Sequence, residues 1–187
     1  MKIALLRHGK SDIKTNKILS ASSFSEWIQR YNMPGIQTIS SPDGTHVKYL
    51  KKYHTVVCSS LPRSTDPAKT LGAENIILFR PRFNEACLPA IKGYFTKLKP
   101  ALWSVIIYIL WLYGYTKNSE SYKESKQRAQ HAAELLIQLA EQYHNRLQFG
   151  HEFFNRFLSK ELLAAEWHTD NKPGLQYWTY NEYAYNP

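Results

Sequence analysis

Short apolar and β-branched runs alternate along this chain with stretches of helical periodicity. That order predicts an α/β fold, a three-layer α/β/α sandwich around a mostly parallel central sheet. Two further observations agree with it. At 187 residues the chain fits one domain and can bury a substantial core. Its apolar runs stop abruptly at charged or polar residues, as strands do when their carboxyl ends carry a ligand site. Residues 1–187 are read as a single domain, with a helical segment over about 90–118 inserted as a cap or lid.

The first strand is Ile3-Ala4-Leu5-Leu6, which ends at Arg7-His8-Gly9. A polar loop runs from Lys10 to about Ser22. Ser23 and Glu26 have capping-box spacing, which predicts a helix through Trp27 and Ile28 to Tyr31, ended by Pro34-Gly35. A second helix is expected from Thr45 to Tyr53, with Val47 and Leu50 on one face. The β-branched run Thr55-Val56-Val57-Cys58-Ser59-Ser60 is the second strand. A helix follows from Arg63 to Leu71, with Pro67 in its first turn, and then a third strand, Ile76-Ile77-Leu78-Phe79. Lys97 to Tyr115 is expected to be helical, with Gly114 as its stop. Ser121 and Glu124 repeat the capping-box spacing ahead of a long helix from Tyr122 to Tyr143. Leu147 to Phe149 is a short fourth strand and Phe153 to Glu166 a helix. The tyrosine-rich tail from Leu175 to Tyr185 alternates as an edge strand does.

The stretch Ala101–Tyr115, ALWSVIIYILWLYGY, is apolar on every side. A membrane span takes about 20 such residues, so this one reads as a buried or interface helix. Its aromatics are core first, with a substrate-pocket wall or a homo-oligomer contact as the other uses.

The chain is basic, with 24 Lys and Arg against 15 Asp and Glu. That balance favours anionic partners, a small phosphorylated substrate or a phosphoprotein among them. The basic residues are scattered rather than gathered in a run, so no nucleic acid is expected. Two cysteines, Cys58 and Cys87, make no disulfide framework and no CxxC spacing. Only four apolar residues separate Lys2 from Arg7, which is no secretory signal and points to the cytoplasm; no transmembrane segment is expected.

Chemistry-bearing residues follow the strands. The first delivers Arg7 and His8, the second Arg63, the third Glu85 after a short loop, and the fourth His151. Taken singly each has an ordinary reading: a solvated loop acid, a satisfied histidine, a surface arginine. Together, two arginines, two histidines and a carboxylate suit phosphoryl transfer through histidine. The cations neutralise a phosphoryl group, one imidazole attacks, and a carboxylic acid protonates the leaving oxygen.

The motifs LLRHGKSD (Leu5–Asp12), CSSLPRSTDPAKTLG (Cys58–Gly72), NEACLP (Asn84–Pro89) and GHEFFNRFLSKEL (Gly150–Leu162) resemble, in this order, those of the histidine phosphatase superfamily, which includes the cofactor-dependent phosphoglycerate mutases. The resemblance covers most of the chain. It implies that His8 is phosphorylated, that Arg7, Arg63 and His151 hold the phosphate, that Glu85 donates the proton, and that neither a metal nor a cofactor is needed. Ser11 and Asn16, on the loop after His8, are candidates for phosphate contacts, and Glu120 and Glu124 are alternative acids. The implied activity is a phosphomonoester hydrolase with a phosphohistidine intermediate. A catalytically weak or inactive relative that binds a phosphorylated ligand or protein is the alternative.

Two positions depart from the pattern. Glu152 follows His151 where glycine is usual. Its carboxylate repels a substrate if it points inward, and otherwise faces solvent or supports a protonated His151. Gln148 stands where the strand would carry an apolar residue. Other chemistries lack their residues. His151-Glu152 begins an HExxH-like string but Asn155 occupies the fifth place, and no GxSxG elbow or P-loop is present. His46, His54, His131, His144 and His168 have no ligand spacing. Lys92, Lys97 and Lys99 either meet a second anionic group or solvate a surface, and specificity is expected within 86–118.

Overall fold

The computed structural model describes residues 1–9, 17–32, 52–53, 55–62, 64–65, 78–143, 145–171, 174 and 176–186. Among the described residues the strands are β1 (Lys2–Arg7), β2 (Leu19–Ser20), β3 (Thr55–Cys58), β4 (Leu78–Phe79), β5 (Lys97–Leu98), β6 (Asn145–Gly150) and β7 (Tyr180–Ala184). The α-helices given in full among them are α1 (Ala21–Asn32), α2 (Pro100–Leu112), α3 (Tyr122–Tyr143) and α4 (Glu152–Ala164). Five strands form one sheet in the order β4-β3-β6-β1-β7. β4, β3, β6 and β1 run parallel, and β7 closes the edge antiparallel to β1. This is the mostly parallel sheet expected from the alternation of elements. Most of the expected helices over Thr45–Tyr53 and Arg63–Leu71, the Pro34-Gly35 turn, Ile76-Ile77, His46, His54 and His144 lie outside the described residues.

The helices begin and end for local reasons. α1 starts earlier than Ser23. Ser20 Oγ accepts the Ser23 N–H at 3.2 Å, so Ser20 is the cap and Ser23 lies in the first turn. Leu19 and Ser20 are already held as β2 against β5, so the chain passes directly from strand to helix. That pairing also corrects the start of α2: Lys97 and Leu98 are strand, and the helix opens at Pro100, which needs no N–H at the first helical position. Gly114 ends α2 at φ +90°, with Tyr115 N–H bonded to Leu110 O (2.9 Å) and Gly114 N–H to Trp111 O (3.0 Å), a Schellman motif. At α3 the capping box is complete, Ser121 N–H to Glu124 Oε2 (2.6 Å) and Glu124 N–H to Ser121 Oγ (3.1 Å).

α3 and α4 cover one face of the sheet. Ala129, Ala132, Ala133, Leu136 and Ala140 recur at helical spacing and meet Ile3, Leu5 and Val57 together with Phe154, Leu158 and Leu162. The small alanines let α3 lie close to the strands. The other face, Ala4, Leu6, Val56, Cys58, Leu147 and Phe149, packs with Tyr53, Trp178 and Tyr180. α1 and α2 form a separate cluster through Ala21, Phe24, Trp103 and Ile107. A polar knot secures the β7 edge: Lys2, Lys52, Tyr53 and Tyr180 all converge on the Glu182 carboxylate. Partial burial pushes that carboxyl up, but these four hydrogen bonds outweigh it and hold it well below the usual range. Among the described residues no helix is long and apolar enough to cross a membrane.

Candidate active site

The parallel strands end in step, and the ladder continues one residue past them. His8 N–H bonds Gly150 O (3.1 Å), Ser59 N–H bonds Phe149 O (3.2 Å), and Arg80 N–H bonds Cys58 O (3.1 Å). The residues after β1, β6, β3 and β4 are therefore neighbours at one sheet edge. There the imidazoles of His8 and His151 meet edge to face, 5.2 Å between centroids. Both are buried.

Each ring is oriented by its hydrogen bonds. His8 Nδ1 lies 2.7 Å from Gly9 O. A carbonyl only accepts, so Nδ1 carries a proton, and in the neutral ring the lone pair is then on Nε2. His151 Nε2 lies 2.8 Å from Ser59 Oγ and 3.1 Å from Ser64 Oγ. Ser59 gives its hydroxyl proton to Asn84 Oδ1 (2.8 Å), which also accepts the Ser60 N–H (2.9 Å). Ser59 Oγ is thus an acceptor toward His151, and His151 Nε2 is protonated. His151 is the N-cap residue of α4 by its backbone, with no capping bond from its side chain.

Gly9 is needed for packing. The Trp178 indole crowds its Cα so closely that a Cβ would lie 2.6 Å from the ring. The space beside the Gly9 backbone is thus filled by Trp178.

Arg7 leaves the other side of β1. Its Nη2 pairs with Glu152 Oε2 at 2.8 Å, and its guanidinium lies over the Tyr177 ring at 4.3 Å. Of the three orientations open to Glu152, the structure shows an inward one, directed at Arg7. Tyr177 also lies 6.2 Å from the His8 ring.

Glu85 reaches the site from the loop after β4. Its Oε1 accepts the Ala86 N–H (3.1 Å) and the Phe154 N–H (3.0 Å), the latter from the first turn of α4. Arg128 of α3 holds the same loop, with Nη1 donating to Arg82 O (2.7 Å) and Asn84 O (2.8 Å) while Nε and Nη2 bind Glu120. Burial raises the Glu120 carboxyl, but the Arg128 hydrogen bonds and charge outweigh it and hold it below the usual range. Glu120 is thus committed to Arg128, and Glu124 to the α3 cap. Arg63, Ser11 and Asn16 lie outside the described residues.

Arg7, His8, Glu85, Glu120, Arg128, Glu152 and Tyr177 all border one cavity of about 800 Å³. Its remaining wall is largely apolar, with Phe24, Trp27 and Ile28 from α1 and Ile107 from α2. Lys92, Lys97 and Lys99 are exposed and line none of it. Burial pushes the Cys58 thiol up to about 12, which keeps it from acting as a thiolate nucleophile at neutral pH. Among the described residues no group of three or more His, Cys, Asp or Glu is placed to hold a metal ion. Gln148 is buried beneath the site and packs against Gly150, where a Cβ would collide with its amide.

Sequence reasoning missed Tyr177, Ser59, Ser64, Asn84 and Arg128. Ser59 and Ser64 sit inside a quoted motif, so their position at a strand end was a usable signal. Tyr177 and Arg128 arrive from elements far along the chain and carry no local mark.

No family model and no curated protein sequence matches the chain. Several solved structures do. The product of a Mycobacterium tuberculosis open reading frame superposes with a TM-score of 0.62 at 16% identity, over 99% of this chain and 91% of that one. The α-ribazole phosphatase of Shigella flexneri gives 0.57 at 18% identity, over 87% of this chain and 79% of that one. A mycobacterial glucosyl-3-phosphoglycerate phosphatase gives 0.57 at 18% identity, over 97% and 91%. At such identities the likeness speaks for architecture alone: this chain has the fold of the histidine phosphatase superfamily.

Proposed function

We propose that the protein is a phosphomonoester hydrolase that works through a phosphohistidine at His8 and requires no metal. The observation that carries this reading is the His8–His151 pair at the sheet edge, with Arg7 and Glu85 on the wall of the same cavity. With Nδ1 tied to Gly9 O, the His8 Nε2 lone pair is the nucleophile. It attacks phosphorus as the ester P–O bond breaks. The leaving oxygen takes a proton from the Glu85 carboxyl, which the Ala86 and Phe154 N–H groups hold at the cavity wall. Water then attacks the phosphohistidine, the P–N bond breaks, and Glu85 regains a proton. Arg7, Arg63 and a protonated His151 offset the phosphoryl charge.

The test is hydrolysis of a chromogenic aryl phosphate with chelator present, compared with His8→Ala, together with label on His8 that survives an alkaline quench and is released by acid. No turnover above the variant from acid to neutral pH sinks the enzyme reading. Glu85→Gln is expected to slow poor leaving groups more than good ones; equal losses remove Glu85 from the acid role.

One observation favours a second reading. The Arg7–Glu152 ion pair occupies a guanidinium that the first reading gives to phosphate. A weak or inactive relative that binds a phosphorylated ligand accounts for that pair, and it predicts phosphate binding without turnover.

A further inference from the structure

The apolar stretch that opens α2 has a face the core does not use. Trp103, Ile107 and Trp111 point inward and are buried. Leu102, Val105, Ile109 and Leu112 are each about half exposed. At 3.6 residues per turn these four share one stripe, nearly opposite the buried one. Tyr113, at the helix end, extends the stripe and is almost fully exposed.

The surroundings of the stripe are basic and aromatic. From Ile91 to Ser119 the chain has four lysines and no acid. Lys92, Lys97 and Lys99 precede the helix and Lys117 follows it, all exposed. Tyr94 and Phe95 are exposed beside the first group.

We propose that this face of α2 docks on an anionic lipid surface, with the helix lying in the interface plane. Aliphatic side chains enter the acyl boundary, Tyr94, Phe95 and Tyr113 sit at headgroup depth, and the lysines meet acidic headgroups. Thirteen residues make a helix of about 20 Å, short of the about 30 Å hydrocarbon core, so it lies on the membrane and does not span it. A second copy of the chain fits less well. A stable dimer takes some 20–30 residues from each partner, and this stripe is one helix face wide. Packing two such faces together also brings two lysine groups with no acid between them into proximity.

Sedimentation with vesicles tests this independently of any catalytic activity. The full-length protein is mixed with vesicles of phosphatidylcholine alone or phosphatidylcholine with phosphatidylserine. Binding to the anionic vesicles, weakened by salt, is expected, with little to neutral ones. Ile109→Glu and Val105→Glu each weaken it about tenfold, and Lys97→Gln with Lys99→Gln weakens it severalfold. All four positions are exposed, so unchanged circular dichroism and Tm are expected. Failure of the wild type to sediment with anionic vesicles overturns the proposal. So does binding that survives Ile109→Glu and Val105→Glu, which places the contact elsewhere. A dimer in solution that Ile109→Glu dissociates, without vesicle binding, assigns the face to self-association instead.

Discussion

Replacing Glu152 with glutamine tests the least expected contact of the site. Glu152 Oε2 lies 2.8 Å from Arg7 Nη2, and the two side chains are only 23% and 12% exposed. A phosphoryl group that uses Arg7 must approach this carboxylate. Two unit charges about 6 Å apart repel by roughly 3 kcal/mol at an effective dielectric of about 20. Partial exposure and the Arg7 charge between them remove about half of that, which leaves ~1.4 kcal/mol, a factor of about ten. Glutamine keeps the length and an acceptor oxygen but not the charge. The expected result is a KM for an aryl phosphate, and an inhibition constant for inorganic phosphate, each about tenfold lower, with kcat within about twofold of wild type. Glu152 also sits in the first turn of α4, where losing a negative charge costs about 0.5 kcal/mol, or a Tm drop of about 1–2 °C. A KM that rises in a folded variant refutes the reasoning. It means that Glu152 aims the Arg7 guanidinium and that orientation outweighs repulsion.

The remaining predictions concern the frame around the site. Gly9→Ala places a Cβ 2.6 Å from the Trp178 indole and is expected to destabilise by about 1–3 kcal/mol; denaturant unfolding measures it, and a double-mutant cycle with Trp178→Ala shows a coupling of about 1 kcal/mol or more. Arg128→Met strands Glu120 and releases the Arg82 and Asn84 carbonyls, costing about 3 kcal/mol, a Tm loss of about 6–12 °C. Adding Glu120→Gln recovers stability, while hydrolysis of poor leaving groups stays slow because Glu85 has lost its support. Glu182 has a folded pKa held below its unfolded value, so its contribution is complete above about pH 4.3 and is lost as pH falls below that. Thermal unfolding at pH 7 and pH 3 is expected to show Glu182→Gln lowering Tm at both, by less at pH 3, because the folded carboxylate is still ionised there while the unfolded one is mostly protonated.

Much of the fold was legible because its signals are local. The β-branched run before Ser59, the capping box at Ser121 and Glu124, and Gly114 after an apolar stretch each act within a few residues. The start of α1 was misread because two serines have cap chemistry, and only pairing of Leu19-Ser20 with Lys97-Leu98 selects Ser20. The same pairing, of residues 77 and 79 positions apart in the chain, turned the expected first turn of α2 into strand.

By itself the sequence determined the mostly parallel main sheet, its alternation with helices, and the placement of Arg7 at a strand end with His8, Glu85 and His151 beyond strands, since period and turn chemistry follow from neighbouring residues. Tertiary structure decided what each side chain faces. It set Trp178 against Gly9, Glu152 against Arg7, Arg128 behind the Glu85 loop, and one apolar stripe of α2 toward solvent. The physical reason is that hydrogen bonds and packing contacts act over a few ångströms of space, and residues brought that close by the sheet lie far apart along the chain.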